Sequence, residues 1–318
     1  MLDVWPAALA PRHLYRSAGL MLASDIALPG QVPAPADARP AIRIERGPVP
    51  RGLDGAIAGG PTWQYNERQI LLDIPTIGQF LIEDGCSIRY APDSCATPAD
   101  VAAFVAGTIL GILLHQRGTI LIHASAIEIG GCAVLFTGPS GAGKSTLTAA
   151  LGQRGYRQFA DDQCAVSIDP AGRVWVASDG AAPRLWTQSI AALALDDRPK
   201  EAVRPNIEKY HLEAHPDSPA SLPFGALYSL AEDRPPKIAG IAWPNIADAA
   251  KLLFAESYRP ELTKALDQRA LYFRASAAIA AAGRHVYTLT RPRRFEAIAA
   301  VIDSLEAHWA SIGLTVAP

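Results

Sequence analysis

The sequence predicts an α/β fold of the α+β type, in which a mixed sheet carries a glycine-rich loop and a small β-rich region comes first. Two observations indicate this class. The segment GPSGAGKS lies between a β-type run, CAVLFT, and a good helix former, STLTAALGQRG. Before them, short alternating β-type runs separated by Pro and Gly turns fill most of the first 95 residues, which is typical of a β-rich unit.

The composition allows one or two globular domains and excludes a common class of partner. The chain has 318 residues, of which 49% are apolar, so it can bury a sizeable core. Its net charge is −2, from 29 basic and 31 acidic residues, and so lacks the basic surface typical of nucleic-acid binders. We therefore expect no nucleic-acid partner.

The cytoplasm is the expected location of the chain. Its first residues have no basic start followed by an apolar run, so the sequence predicts no signal peptide. The most apolar stretch, Val101–Leu114, has 14 residues, fewer than the ~20 that span a bilayer, and it indicates a buried helix without a membrane partner. The cysteines lack CxxC spacing and are expected to stay reduced. They are Cys86, Cys95, Cys132 and Cys164.

Residues 1 to 95 are predicted to form the β-rich region, for which we expect a role in substrate recognition. A Pro-rich loop from Pro29 to Pro40 and a turn at Gly59-Gly60-Pro61 interrupt its β-type runs. No chemical motif occurs in this region. The predicted strands are Gly19–Ala23, Ala41–Glu45, Thr62–Tyr65, Ile70–Ile74, Gln79–Glu83 and Ser87–Tyr90.

Residues 96 to 318 are predicted to form a second, larger domain that begins with a helix. Thr97 is a good N-cap and Pro98 suits the first helical position, so the helix should run from Pro98 to about Gln116. Gly130-Gly131 then separates two β-type runs and indicates a tight hairpin. The strand before the glycine-rich loop should therefore be antiparallel to its predecessor, whereas most strands that precede such loops belong to parallel βαβ units.

Strands and a final helix are predicted further along the chain. The strands are Val174–Ala177, Ala226–Leu230, Ile238–Ala242 and His285–Leu289. The last helix should run from Arg293 to about His308, and the basic run Arg291–Arg294 is interpreted as its solvated start. One apolar face is expected on this helix. It comprises Phe295, Ile298, Ala299, Ile302 and Leu305.

The segment GPSGAGKS, from Gly138 to Ser145, matches the phosphate-loop pattern G-x-x-x-x-G-K-[ST]. Its glycines let backbone N–H groups approach phosphate oxygens, and the next helix points its partly positive N-terminus at the anion. Lys144 can reach the β- and γ-phosphates, and the Ser145 hydroxyl can bind Mg²⁺. ATP and Mg²⁺ are therefore the expected cofactors. The predicted nucleotide-binding residues are Gly138, Pro139, Ser140, Gly141, Ala142, Gly143, Lys144, Ser145 and Thr146.

Two carboxylates, Asp161 and Asp162, follow this loop closely. A β-type run from Tyr156 to Ala160 should return the chain to the edge of the sheet at which ligands bind in open α/β sheets. Successive strand residues point to opposite faces, so one carboxylate can approach Mg²⁺ while the other faces a phosphoryl acceptor as a general base. A plain ATPase, in which Asp162 only caps the strand, is an alternative. His123 ends an upstream strand and is expected near the γ-phosphate.

The segment His123–Gln163 resembles the catalytic domain of HPr kinase/phosphorylase, a bacterial serine kinase that shares its fold with phosphoenolpyruvate carboxykinase. The resemblance lies in a His-containing strand, a hairpin, the pattern G-x-x-G-x-G-K-S and the triplet ADD after a short helix. It implies a phosphate-loop core with a mixed sheet. His123, Lys144 and Asp162 match active-site positions of the family, which implies that Asp162 accepts the proton of a substrate serine and that Ser145 binds Mg²⁺.

The overall pattern is also similar to the HPr-kinase-like proteins of lasso-peptide gene clusters, which phosphorylate a C-terminal serine of a precursor peptide. In those proteins a β-rich part precedes the kinase core, and segments PRLW and EK follow it, here Pro183–Trp186 and Glu208–Lys209. Thr146 stands where HPr kinases usually have an acidic residue. The basic residues expected to stabilise the transition state are Arg184, Arg204 and Lys209.

The sequence therefore predicts an ATP- and Mg²⁺-dependent serine kinase acting on a peptide or small protein, with a lasso-precursor-like peptide favoured over an HPr-like protein. Ser145 and Asp161 would bind Mg²⁺. Asp162 would take the hydroxyl proton while His123 and Lys144 act at the γ-phosphate. A small-metabolite kinase and an ATP-binding regulator without phosphoryl transfer stay open as alternatives, and so does assembly into a homo-oligomer.

Overall fold

The computed structural model describes residues 13–179, 184–195, 201–202, 208–211, 219–281 and 285–314. Within these ranges the chain forms two mixed β-sheets of nine strands each and a small sheet of three strands. Helices cover the second sheet on both faces, and one long helical segment packs on the first sheet. The predicted mixed α/β fold with a β-rich N-terminal part is confirmed, while the division into two domains at residues 95 and 96 stays a prediction.

The N-terminal sheet follows from strands with one apolar and one polar side. Its strands are β1 (His13–Ser17), β2 (Leu20–Ser24), β3 (Val32–Pro33), β4 (Ile42–Arg46), β5 (Ala58–Gly60), β6 (Trp63–Tyr65), β7 (Gln69–Ile74), β8 (Gly78–Glu83) and β9 (Ser87–Pro92). They lie in the order β3-β1-β2-β4-β9-β8-β7-β6-β5, with β4 parallel to both neighbours. In β4, Ile42 and Ile44 are buried while Arg43 and Glu45 are exposed. All six predicted strands occur within two residues of their expected ends.

A long apolar helical segment follows the N-terminal sheet and packs against it. It consists of α1 (Pro98–Phe104), a π-helical stretch (Val105–Ile109) and α2 (Leu110–Gln116). The Thr97 hydroxyl accepts from the Asp100 N–H and the Asp100 carboxylate accepts from the Thr97 N–H, so a capping box starts the helix as predicted. In the described ranges, this 19-residue segment is the one helix long and apolar enough to cross a membrane, and 61% of its apolar window is buried inside the protein. Its packing against the sheet accounts for its composition.

The second sheet carries the glycine-rich loop. The further strands are β10 (Ile120–Ile122), β11 (Ala124–Ile129), β12 (Cys132–Thr137), β13 (Arg157–Asp161), β14 (Cys164–Ile168), β15 (Val174–Ser178), β16 (Arg184–Trp186), β17 (Glu201–Ala202), β18 (Lys209–His211), β19 (Ser221–Glu232), β20 (Gly240–Ala242) and β21 (Val286–Arg291). Strands β16, β17 and β18 form the small sheet, and the others form the second sheet. Its main order is β10-β14-β15-β19-β12-β11-β13, with β21 beside β19 and β20 beside β21.

The predicted hairpin before the loop is confirmed. Strand β12 is antiparallel to β11 and parallel to β19. Gly130 and Gly131 have φ angles of 54° and 74°, which a two-residue turn with two left-handed residues requires. Strand β13 pairs with the far side of β11, so its C-terminal end lies close to the start of the loop.

Helices pack on both faces of the second sheet. They are α3 (Lys144–Gln153), α4 (Thr187–Ala192), α5 (Ile246–Ala255), α6 (Pro260–Ala265), α7 (Arg269–Ala281) and α8 (Ile298–Ser311), with a 3₁₀ turn (Phe295–Ala297) before α8. On one face, Leu147 of α3 and Leu305 of α8 share a core. On the other face, Leu253 of α5 and Tyr272 of α7 do so. This three-layer arrangement leaves the end of β12 open to a cleft.

Two expectations about the C-terminal part were wrong in detail. The last helix begins at Ile298 and not at Arg293, and Phe295 lies in the preceding 3₁₀ turn with 41% of its surface exposed. It therefore does not belong to the buried face of α8. The strand predicted from Ile238 begins at Gly240, and Ile238 is exposed.

Candidate active site

The glycine-rich loop joins β12 to α3 and forms a cradle of backbone groups. Gly143 has a φ of 86° and serves as the N-cap of α3 without a side-chain cap, so the first N–H groups of this ten-residue helix stay available to an anion. A Cβ atom added at Gly143 would come within 2.8 Å of a terminal nitrogen of Arg291. Glycine is thus required there by the backbone conformation, and any side chain at this position would also displace the end of Arg291.

Lys144 lies inside the curve of the loop. Its side chain is buried, and its Nζ donates to the carbonyl of Gly138 at 2.8 Å and to that of Pro139 at 3.4 Å. The ammonium group is therefore held at the centre of the cradle, next to the place where the phosphates of a nucleotide bind in this kind of loop. This position agrees with the role that the sequence predicts for it.

Asp161, at the end of β13, faces the start of α3. Its Oδ1 accepts from the Ser145 hydroxyl at 2.8 Å and from the Ser125 hydroxyl at 2.6 Å, and its Oδ2 accepts from the Arg184 N–H at 2.9 Å. The carboxylate is 2% exposed, and such a buried charge requires this number of donors. Ser125 has the sequence pattern of an ordinary strand residue, so no local signal predicts its contact with Asp161.

The pair of Ser145 and Asp161 fits Mg²⁺. A hydroxyl and a carboxylate oxygen that lie 2.8 Å apart are hard oxygen ligands, and Mg²⁺ usually takes only one or two carboxylates together with substrate phosphates and water. The described residues contain no group of three or more His, Cys, Asp or Glu side chains that could hold a metal ion alone. Ser145 and Asp161 would thus supply part of the coordination of a Mg²⁺ ion, together with water or nucleotide phosphates.

Asp162 directly follows the last residue of β13, so strand alternation does not set its direction, and both carboxylates line the cleft. Its φ of 92° ends the strand in a conformation that Asp tolerates better than most residues. Its Oδ1 lies 3.2 Å from Nε2 of His123, and its Oδ2 lies 3.0 Å from a terminal nitrogen of Arg184. About 30% of the Asp162 side chain remains exposed to the cleft, so an incoming hydroxyl can reach it.

Arg184 bridges the two carboxylates. Besides its ion pair with Asp162, it donates from a terminal nitrogen to the Asp161 carbonyl at 3.2 Å, and its Nε lies 3.9 Å from the Asp161 carboxylate. Burial by itself lowers the pKa of this guanidinium, but the charges of Asp162 and Asp161 outweigh burial and raise that pKa above its usual value. Arg184 is thus a permanent cation between the two acids. Of the other predicted basic residues, Arg204 and the side chain of Lys209 lie outside the described residues.

The basic run before α8 lies beside the phosphate loop, and its interpretation as a solvated helix start was wrong for Arg291, whereas Arg293 and Arg294 are exposed. Arg291 ends β21 with 7% of its surface exposed, and a terminal nitrogen donates to the Ala142 carbonyl at 2.7 Å. Burial and the charge of Arg293 lower the pKa of Arg291, yet it stays a cation at neutral pH. Arg293 and Arg294 line the same cleft. In the part of the chain that the structure describes, the buried Nε of Arg291 has no hydrogen-bond partner.

Glu256, the C-cap residue of α5, holds the start of the phosphate loop by hydrogen bonds. Its Oε2 accepts from the Thr137 hydroxyl at 2.8 Å and from the Gly138 N–H at 3.1 Å. Its carbonyl accepts from the His123 N–H at 2.9 Å. One residue thus joins the start of the loop to the backbone of His123. No sequence signal indicates this role, because more than a hundred residues separate Glu256 from the loop.

The cleft between these residues has a volume of about 750 Å³, within the range of small-molecule sites. Its lining includes Lys144, Ser145, both aspartates, His123 and Arg184, so the structure brings the predicted site residues that it describes to one place. The lining of the cleft also includes Trp186, Gln188, Ser189, Phe295 and Ile298.

A strand, a phosphate loop and a helix, with a pair of carboxylates at the end of a neighbouring strand, define a phosphate-loop protein of mixed α/β class. A stretch of 105 residues is 32% identical to the HPr kinase/phosphorylase of Lactobacillus delbrueckii subsp. bulgaricus, and it spans 31% of this chain and 31% of that protein. The structure of the Hpr(Ser) kinase/phosphatase from Coxiella burnetii aligns with 61% of this chain and 98% of that chain, at 14% identity and a TM-score of 0.32. No family model matches the chain. The sequence match makes the chain distantly similar to the HPr kinase/phosphorylase family.

Proposed function

We propose that this protein is an ATP- and Mg²⁺-dependent kinase that transfers the γ-phosphoryl group to a serine hydroxyl of a peptide or small protein. The observation that carries the proposal is the position of Asp162. This carboxylate faces the cleft beside the phosphate loop, between His123 at 3.2 Å and Arg184 at 3.0 Å. A carboxylate in this position can accept the proton of an attacking hydroxyl, which phosphoryl transfer to serine requires.

The loop and the residues around it would hold the triphosphate. Backbone N–H groups at the start of α3 and the Lys144 ammonium supply positive charge to the phosphates. Ser145 and Asp161 would hold Mg²⁺, which neutralises charge on the phosphate oxygens when it is bound. The cationic Arg184 and Arg291 flank the same space and would stabilise the charge that spreads over the transferred group.

Transfer then requires one proton movement. The serine Oγ attacks the γ-phosphorus, a new P–O bond forms, and the bond between the γ-phosphorus and the β,γ-bridging oxygen breaks as ADP leaves. The hydroxyl proton passes to the Asp162 carboxylate. His123 and Arg184 hold the two oxygens of that carboxylate, so it is oriented before the acceptor arrives. His123 is thereby a positioning residue for the base, close to the expected γ-phosphate.

The acceptor class rests on sequence similarity. The relative is called an HPr kinase/phosphorylase, and a protein acceptor is the kind of substrate that its name indicates. The resemblance to lasso-cluster kinases favours a peptide with a terminal serine over an HPr-like protein. A small-metabolite kinase and a nucleotide-binding regulator are the outcomes that the following experiment distinguishes.

The test is phosphoryl transfer by an Asp162→Asn variant. We expect it to bind ATP as the wild type does and to lose transfer by roughly 10²- to 10⁴-fold, because an amide cannot take the proton. Labelled ATP is incubated with peptides ending in serine, with an HPr-like protein and with small alcohols, and products are read by mass spectrometry.

Asp303→Asn is the matched control, since Asp303 is a 64% exposed carboxylate on α8 that pairs with Arg154. It should leave transfer unchanged. Near-normal turnover in Asp162→Asn would remove the base assignment. Tight ATP binding without any transfer to any acceptor would favour the regulator.

A further inference from the structure

Two exposed aromatic side chains line the cleft. Trp186 is 54% exposed and Phe295 is 41% exposed. Within the described ranges, the other exposed large apolar side chains lie elsewhere on the surface, and these two line the cleft that contains the phosphate loop. Scattered exposed apolar residues need no explanation, but a pair in one ligand cleft indicates a binding surface.

Trp186 is the N-cap residue of α4, a helix that contacts the phosphate-loop helix. Residues two apart on a strand share a face and lie about 7 Å apart, so in β16 Trp186 follows Arg184 along the same face. Leu185 between them is buried, as this alternation requires. The helix that Trp186 starts is held to the phosphate-loop helix, because the Ser189 hydroxyl lies 2.9 Å from the Thr146 hydroxyl.

Thr146 directly follows Lys144 and Ser145. The direction in which the chain runs through the loop therefore determines the orientation of a bound triphosphate. The lysine of such a loop reaches the β- and γ-phosphates, and the loop backbone holds the α- and β-phosphates. Asp162 and His123 mark the γ-phosphate end. The end near Thr146 and Ser189 is therefore the α-phosphate end, from which the ribose and base extend.

Phe295 lines the same cleft from another element. It opens the 3₁₀ turn before α8, and Ile298, three residues later, lines the cleft as well. The segment is fixed beside the loop by the hydrogen bond from Arg291 to the Ala142 carbonyl. Gln188 and Ser189 place an amide and a hydroxyl among these apolar groups, which gives the mixture of stacking surface and few polar groups that a planar heterocycle requires.

We propose that Trp186 and Phe295 form a stacking subsite for the purine base of the nucleoside triphosphate. This inference rests on the proposed function, since it assumes a triphosphate at the loop. Trp186 and Phe295 would take the base, and Asp162 would remain available to the acceptor. Stacking tolerates different bases because every base has a π-face, so ATP and GTP should bind with similar affinity unless Gln188 discriminates between their edges.

The experiment compares two ligands that differ in the base. Binding of ATP and of inorganic tripolyphosphate, each with Mg²⁺, is measured by calorimetry on the full chain. Trp186→Ala and Phe295→Ala should each weaken ATP binding about 10-fold and leave tripolyphosphate binding unchanged. Trp186→Phe should retain most of the ATP affinity, because it keeps an aromatic face.

Phe273→Ala is the matched control, since Phe273 is a 70% exposed phenylalanine on α7 outside the cleft, and it should bind both ligands normally. Unchanged ATP affinity in the alanine variants would overturn the subsite, and so would equal weakening of ATP and tripolyphosphate. A higher KM for the acceptor at unchanged ATP affinity would assign the aromatic residues to the acceptor instead. If the wild type bound neither ligand, the proposed function itself would fail.

Discussion

The two large sheets use buried carboxylates in different ways. In the N-terminal sheet, Asp25 is 4% exposed and accepts from the Tyr90 hydroxyl at 2.8 Å and from the Arg46 N–H at 2.7 Å. Tyr90 is fully buried. Burial, and then the hydrogen bond to Asp25, raise the pKa of Tyr90 above its usual value. The Asp25 carboxylate therefore stabilises the packing of the N-terminal sheet, because both of its hydrogen-bond donors belong to strands of that sheet.

Asp161 of the second sheet has equal burial but different donors. One of them, Ser145, lies at the start of the phosphate-loop helix and lines the cleft. The Ser145 hydroxyl can release Asp161 and contact a ligand in the cleft, and this change exposes no core residue to solvent. A buried acid therefore belongs to the framework when all its donors are internal, and to a site when one of them lines a cavity.

The most severe test of this difference is Asp161→Asn. We expect phosphoryl transfer to fall by about 100-fold or more, because the amide carries no charge for Mg²⁺, while the fold is kept. Transfer rates are measured over a range of Mg²⁺ concentrations. Asp303→Asn serves again as an exposed control. An unchanged Mg²⁺ dependence in Asp161→Asn would show that Asp161 is a framework residue like Asp25.

Asp25→Ala should lower the stability of the protein and leave its ATP binding unchanged. It leaves the Tyr90 hydroxyl and the Arg46 N–H without their acceptor, which costs about 2 kcal/mol or more of unfolding free energy, while the ATP affinity of the folded protein stays normal. Urea unfolding and calorimetry measure the two quantities. Asp73→Ala is the control, since Asp73 is exposed on the same sheet. A loss of ATP affinity without a loss of stability would contradict the assignment.

A smaller effect is expected where the two regions meet. His115 of α2 is fully buried, and its Nε2 lies 2.6 Å from the Tyr258 carbonyl. Its ring stacks on Tyr258, which contacts His123 edge-on with centroids 6.2 Å apart. Burial lowers the pKa of His115 below its usual value. The unfolded chain therefore binds more protons below the ordinary His pKa of about 6.5, so stability should fall as the pH falls through that value.

Urea unfolding at pH 7.5 and 5.5 checks this pH dependence. The loss of stability on acidification should be smaller in His115→Gln than in the wild type. His308, whose pKa is also lowered by burial, contributes with the same sign, so His308→Gln is the comparison variant. Equal pH dependence in the wild type and His115→Gln would show that His115 does not titrate as the structure indicates.

Local patterns in the sequence predicted the parts of the site that depend on adjacent residues. The phosphate loop follows from backbone geometry within eight positions, the hairpin from Gly130-Gly131, and the position of Asp161 and Asp162 near the loop from the short return strand. Each of these needs only short-range information. Arg184 was named from its place after the aspartates, and the structure puts it between them.

The rest depends on contacts between distant segments. Ser125 and Glu256 carry no local signal, since serine on a strand and glutamate at a helix end are ordinary. The basic run Arg291–Arg294 was interpreted as solvated because charged residues before a helix usually are. The prediction that Phe295 is a core residue assumed that the helical periodicity of α8 includes residues before its true start at Ile298. Both errors have the same cause. Residues 291 to 298 lie beside the phosphate loop, and this contact joins parts of the chain that are far apart in the sequence.

The connection made by Glu256 constrains the length of the chain before it. Each helical residue turns the chain by about 100° and advances it by 1.5 Å, so deleting one residue from α5 would rotate the carboxylate away from Thr137 and Gly138. The same shift would withdraw the carbonyl that holds His123. Substitutions on the surface of α5 should therefore be tolerated where insertions and deletions are not.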